Sequence, residues 1–271
     1  MKSTQIWKMN KGKLAAIRLR DEIGIDDPDD IPIEDVVIGR GGIVKYQPMG
    51  QTDGRIVYGK SLSTIFINSE IKYEGRRRFA IAHELGHLEM HKGSPLHEDN
   101  VSLDWFNSTE KQLKKGSQEY EANQFATEYL MPSDLFNNEA KGKILTPELI
   151  RNLAKRFNTS LTSVAFKYFE TGLHPIAMFH IFNGKIKYWK KSDDLRVWIK
   201  DLTKLSPPDD SVAMEYIEAD YKPIYKRNEL QQVISKSTFF KINDNDEDSE
   251  FYEYCIVTES FKNILSIVWE K

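Results

Sequence analysis

Apolar residues recur at helical spacing over residues 11–24. Leu14, Ala15, Ile17, Leu19 and Ile23 form one face, and Gly24 is placed to stop the helix. A second short helix is predicted at 33–38, closed by Gly39 and Gly41-Gly42. The pattern then changes to strands, at 43–46 and 54–68. There Thr64, Phe66 and Asn68 alternate with Ile65 and Ile67, and Asp53-Gly54 is a hairpin signal. Residues 75–91 and 118–131 read as two strong helices, the second stopped by Pro132. Between them, 92–116 is polar and irregular, with an aromatic pair at Trp105-Phe106. Thr146-Pro147 opens a helix as N-cap and first residue, and another helix spans 161–171 up to Gly172.

After Pro175 the period shortens. Strands at 176–182 and 185–189 flank Asn183-Gly184, the residue pair of a type I′ hairpin turn. Ser192 is expected to cap a helix at 193–203. Strands at 251–258 and 264–269 close the chain, and Trp189, Trp198, Trp269 and Phe239-Phe240 are expected in the core. The fold class expected is α+β, with a domain over 1–174 containing a helix pair and a smaller α/β domain over 175–271.

Composition narrows the chemistry. Of 271 residues, 40% are hydrophobic and 29% charged, enough to pack a core. Thirty-eight basic against 41 acidic residues give a net charge of −3, which argues against a general polyanion binder. Cys255 is the single cysteine, so a disulfide within the chain and a multi-cysteine zinc site are excluded; it is expected as a buried small hydrophobe. No apolar run reaches the length of a membrane span, and Lys8, Lys11 and Lys13 stand where a signal peptide needs its apolar core. A cytoplasmic protein without membrane contact is expected.

The chemistry concentrates in His83-Glu84-Leu85-Gly86-His87. On a helix, residues four apart lie one turn apart on one face, so both imidazoles can reach one zinc ion while Glu84 lies beside them. Zinc lowers the pKa of a bound water to about 7, and a carboxylate can take its proton as the water attacks a carbonyl. Two surface histidines would give the same five letters. Here, however, Phe79, Ala82, Gly86 and Met90 line the histidine side and Ile81, Leu85 and Leu88 another, so the helix is expected to be buried.

A catalytic zinc wants a third protein ligand. A metzincin would place a glycine at position 90 and a histidine at 93, where this chain has Met90 and Gly93. The helix at 118–131 offers carboxylates. Its apolar face is Ala122, Phe125, Ala126, Tyr129 and Leu130; Glu119 lies nearer that face than Glu121, and Asn123 shares its side at i+4. Glu119 is therefore the expected ligand. Asn123 can accept a hydrogen bond from a ligand histidine, and Glu121 and Glu128 are expected on a solvated face. His91 is expected to interact with the helix dipole at the C-terminus.

The run Arg77-Arg78-Phe79-Ala80-Ile81-Ala82-His83-Glu84-Leu85-Gly86-His87, followed by Glu119-Tyr120-Glu121-Ala122-Asn123-Gln124-Phe125-Ala126 and Leu130-Met131-Pro132, resembles the ImmA/IrrE family of zinc metallopeptidases. The resemblance extends over about residues 11–174, because the upstream helix, Gly-Ile-Val strand and Asp-Gly turn occur in the same order. It implies a gluzincin-like zinc site of His83, His87 and a motif glutamate, with Glu84 as general base. It also implies a protein substrate: family members typically stand beside a helix-turn-helix repressor that they cleave or inactivate. The alternative is a non-catalytic, zinc-containing regulator that sequesters a repressor by binding.

Other candidates carry less. His97, Glu98, Asp99 and Asp104 read as an acidic loop. Residues 147–171 imitate a helix-turn-helix, but the second helix offers only Lys167 as a cation, so direct nucleic-acid binding is not expected. The 244–255 stretch lacks the glycine and final glutamate of a calcium loop, with Ser249 and Cys255 in those places. An extended substrate is expected to pair with an edge at Ser63–Asn68. Residues 175–271 are expected to bind a small molecule or protein and to gate the zinc site.

Overall fold

A computed structural model describes residues 11–93, 118–243 and 247–271. The acidic loop residues His97, Glu98, Asp99 and Asp104, the pair Trp105-Phe106 and residues 244–246 lie outside the described residues. The chain divides into two compact units, Met1–Glu139 with Leu153–Ser163, and Ala140–Asn152 with Val164–Lys271.

The first unit opens with α1 (Lys11–Ile23), which buries Ala16 and Leu19, and α2 (Ile33–Gly39), which buries Val36 and Val37. Gly24, at φ +70°, takes the left-handed conformation that ends α1. Three strands follow: β1 (Gly42–Gln47), β2 (Gly54–Val57) and β3 (Ser63–Asn68), in the order β1-β3-β2. β1 runs parallel to β3 and β2 antiparallel to it. Asp53-Gly54 therefore does not join β1 to β2 as a hairpin; the hairpin is β2–β3, turning through residues 58–62. β3 is the central strand, so its backbone is paired on both sides and offers no edge to a substrate; the edges are β1 and β2. The alternation along β3 puts Ser63, Ile65 and Ile67 wholly inside, with Thr64 and Phe66 half-buried.

α3 (Glu74–Met90) packs against this sheet, and every residue from Phe79 to Leu88 is buried. α4 (Gln118–Leu130) lies against both α1 and α3, and α5 (Ser133–Ala140) follows the break at Pro132. Ile65, Ile67, Ile81, Leu85, Phe125 and Tyr129 share one core, each such side chain stabilising by about 1.5–3 kcal/mol when fully buried. That core fixes the two helices carrying the motif residues.

α6 (Pro147–Arg156) and α7 (Leu161–Thr171) each straddle the division between the units. Thr146 caps α6, its Oγ1 accepting from Leu149 N at 3.1 Å. The second unit is built on an antiparallel sheet of β4 (Ile176–Phe182), β5 (Lys185–Lys191), β6 (Gln231–Ser235), β7 (Glu250–Thr258) and β8 (Asn263–Glu270), ordered β5-β4-β8-β7-β6. Two short helices, α8 (Val212–Glu218) and α9 (Lys236–Phe239), contribute to its core. The β4–β5 turn has Asn183 at φ +49° and Gly184 at +71°, the backbone a type I′ turn demands.

Two expectations fail here. Residues 193–203 form no helix; they run through turns to a bridge between Ile199 and Phe240. The cap is spent elsewhere, since Ser192 Oγ accepts from Ile176 N at 3.1 Å. Phe239, Phe240 and Trp269 are buried, but Trp189 is 39% and Trp198 76% exposed. Trp189 stands on β5, an edge strand in which only Ile186 is buried. Cys255 is buried in the same core.

Candidate metal centre

α3 presents His83 and His87 on one face, one turn apart, and both are buried. Their Nε2 atoms lie 3.1 Å from each other. Glu119, in the first turn of α4, sends Oε2 to 3.1 Å from His83 Nε2 and Oε1 to 3.3 Å from His87 Nε2. Asn123, one turn further along α4, places Oδ1 2.9 Å from His83 Nδ1. The close approach that brings Glu119 in depends on Gly86, where a Cβ would stand 3.1 Å from the Phe125 side chain. A glycine there sacrifices about 1 kcal/mol of helix propensity, and α4 occupies the space it leaves.

Glu84 is 5% exposed and is not one of the three grouped ligands; its side chain lies beside the first residue of β2 and within electrostatic reach of His83 and Glu119. A Cβ on Gly54 would lie 3.2 Å from Glu84 Cγ and Oε1. The start of β2 is pinned by Asp53, whose buried carboxylate takes a two-bond fork from Arg76 of α3, Nε to Oδ2 at 2.8 Å and Nη2 to Oδ1 at 2.9 Å. In sequence Asp53 reads only as a turn residue; the signal for its pairing, an arginine two turns upstream of the HExxH residues, is visible only once β2 is placed beside α3.

Burial pushes His87 down to about 4, leaving it neutral at pH 7, the state a metal ligand needs. Burial also lowers His83, but the contacts with Glu119 outweigh it and carry the net shift upward. Glu119 is penalised by burial, yet its two histidine partners hold it far below the ordinary carboxylate range. Burial raises Glu84 to about 7, which suits a group that must both take and give a proton near neutral pH.

The donor set fits a zinc ion. With Asn123 Oδ1 accepting from Nδ1–H, His83 carries a lone pair on Nε2, and that lone pair faces a carboxylate and a second imidazole nitrogen. One ligand atom each from His83, His87 and Glu119 lies within 4.8 Å of the others. Such a convergence of acceptors is repulsive until a cation sits among them, and two imidazoles with one carboxylate are a zinc donor set. Among the described residues this is the one such group.

Two carboxylates expected on a solvated face are not there. Glu128 is 1% exposed, and its oxygens accept from Ser133 N at 2.9 Å and Ser133 Oγ at 2.7 Å, across the break at Pro132. Glu121 is largely covered and takes Lys11 Nζ at 3.0 Å and His91 Nε2 at 2.9 Å. His91, 2% exposed, meets His87 through Nδ1–Nδ1 at 3.0 Å as well as capping α3.

Residues 41–169 match the family model of peptidase M78, described as the IrrE N-terminal-like domain. The resemblance drawn from the two motifs is thereby borne out. No curated protein matches the chain. Among solved structures, one described as a Mycobacterium tuberculosis transcriptional regulator aligns over 97% of this chain and 77% of its own, with a TM-score of 0.58 and 17% identity. At that identity the likeness is one of fold. No helix of the described residues is long and apolar enough to cross a membrane.

Proposed function

We propose that this protein is an M78-type, zinc-dependent endopeptidase whose substrate is a helix-turn-helix transcriptional repressor, acting in a regulatory circuit in the cytoplasm. The observation that carries the reading is a buried Glu84 lying next to, but outside, the His83–His87–Glu119 cluster. A purely structural zinc would not need that carboxylate. His83, His87 and Glu119 would hold the ion, with Asn123 orienting His83. When bound, zinc supplies a Lewis acid that polarises a peptide carbonyl and acidifies water. Glu84 accepts a proton from the water that attacks the carbonyl carbon, and returns it to the amine nitrogen that leaves as the C–N bond breaks. Burial of Glu84 keeps bulk water from competing for that proton.

The extended substrate is proposed to run beside β2 rather than β3. β2 is an edge strand, and its first residue, Gly54, abuts Glu84. Residues 175–271 are proposed as the regulatory part, responding to a small molecule or protein.

Glu84→Gln in the full chain tests the enzyme reading. It is expected to retain zinc and fold while reducing cleavage of the partner repressor by at least about 100-fold. Full function in cells with this substitution would sink the peptidase reading and leave a regulator that sequesters its repressor by binding.

A further inference from the structure

We propose that His91 is a positioning residue for His87. Together with Glu121 and Lys11, it fixes the tautomer and ring orientation in which His87 offers Nε2 to the metal. This rests on the reading of His83, His87 and Glu119 as zinc ligands.

The direction of every bond in the chain follows from that starting point. A neutral imidazole that ligates through Nε2 carries its proton on Nδ1. His87 Nδ1 lies 3.0 Å from His91 Nδ1, so His91 Nδ1 must be bare to accept. His91 then carries its own proton on Nε2, which lies 2.9 Å from Glu121 Oε2. An ionised carboxylate only accepts, and the same oxygen receives Lys11 Nζ at 3.0 Å. Lys11 thus holds Glu121, Glu121 fixes the tautomer of His91, and His91 fixes that of His87. Asn123 does the same for His83 in a single step, at 2.9 Å.

A charged His91 serving the helix dipole would behave oppositely. It would donate from Nδ1 and force His87 to keep its proton on Nε2, where the metal belongs. The burial of His91, at 2% exposed, favours the neutral, fully paired form. Lys11 also lies outside the residues 41–169 that match the peptidase family, so the α1 helix contributes to the centre from beyond that match.

The test is zinc affinity of the full-length protein, measured by chelator competition. His91→Phe is expected to bind zinc about 10- to 100-fold more weakly than the wild type. His91→Asn, whose Oδ1 stands where Nδ1 stood, is expected to recover most of that loss. Glu121→Ala is expected to keep one zinc at saturation but with affinity lowered about 10-fold. With cobalt(II) in place of zinc, the wild type should show two slowly exchanging, hyperfine-shifted imidazole N–H resonances, from His83 and His87. His91→Phe should lose the second to solvent exchange and keep the first.

Unchanged affinity in His91→Phe with both resonances intact would overturn the proposal, as would His91→Asn binding no better than His91→Phe. If His91→Phe does not fold, Glu121→Ala carries the same comparison from the outer end of the chain. A wild type that binds no zinc would overturn the ligand reading and this proposal together. A wild type that binds tightly, with variants to match, overturns the positioning alone.

Discussion

Glu119 and Glu121 stand two residues apart on α4, yet their carboxylates go to different histidines. Glu119 reaches His83 and His87, whereas Glu121 reaches His91 and Lys11. Alanine at each position should separate the two duties. His83→Ala, His87→Ala and Glu119→Ala each delete a proposed ligand and should lose zinc on dialysis, measured by elemental analysis. Their loss should exceed the roughly 100-fold that marks the upper end for outer contacts. Glu121→Ala should still load at saturating zinc. Zinc retained in Glu119→Ala and lost in Glu121→Ala would reverse the assignment. His83, Glu84 and His87 are legible in sequence because their relation is local, set by one helical turn. The Glu119–Asn123 spacing is local too. The chain from Lys11 through Glu121 to His91 is not, because it joins three helices, and its ends are separated by about 80 positions of sequence that helix period does not constrain.

Helix contacts decide whether those residues meet at all, and α1 against α4 is the tightest of them. A Cβ on Gly12 would fall 2.0 Å from Glu121 O and 2.9 Å from Phe125 N, both backbone atoms that cannot swing away. Gly12→Ala gains about 1 kcal/mol of helix propensity but incurs overpacking of about 1–3 kcal/mol, and a backbone clash belongs at the upper end of that range. The net expectation is a fall in Tm of roughly 5–8 °C with weakened zinc binding, since α4 carries Glu119. An unchanged Tm would show that the two helices slide apart at little cost.

In the second unit the comparable device is Glu253 of β7, wholly buried at the start of α8. It accepts from Val212 N at 2.8 Å, Ala213 N at 3.2 Å and Ser266 Oγ at 2.7 Å. Burial raises it from 4.5 to about 7 despite these bonds. A carboxyl that holds its proton more tightly when folded contributes stability that is present below about 4.5 and lost as pH rises through about 7. Comparing urea melts of the wild type and Glu253→Gln isolates this group. From pH 4.5 to pH 8 the wild type should lose on the order of 3 kcal/mol relative to the variant, and parallel stability curves would refute it. Four of the five strands of this unit are legible in sequence, β4 and β5 through the Asn183-Gly184 turn between them and β7 and β8 as closing apolar runs, whereas β6 (Gln231–Ser235) is not. The missing helix at 193–203 was not, because Ser192, a fair cap by type, is bonded across the sheet to Ile176.

At the scale of the whole molecule, the path of the chain matters more than the residue at which its pattern changes. A boundary near residue 174 follows from the shift from helical to strand period, but the compact units do not divide there. The chain passes between them at 139/140, 152/153 and 163/164, so Ala140–Asn152 and Val164–Thr171 belong with the strands that come after them. Sequence periodicity marks where an element type changes; it does not record which later strands an earlier helix joins. Truncation after residue 174 would therefore take away most of the unit to which Leu149, Ile150, Val164, Ala165 and Tyr168 belong, and each of these is buried in the full chain. The 1–174 fragment is expected to expose them, bind a hydrophobic dye and aggregate or melt without cooperativity. Its loss of activity would then say nothing about gating, and regulation by residues 175–271 has to be tested in the intact chain with the zinc ligands in place. A monomeric 1–174 fragment with a sharp melt and full zinc loading would show instead that the helices at 140–171 close on the first unit once the strands are gone.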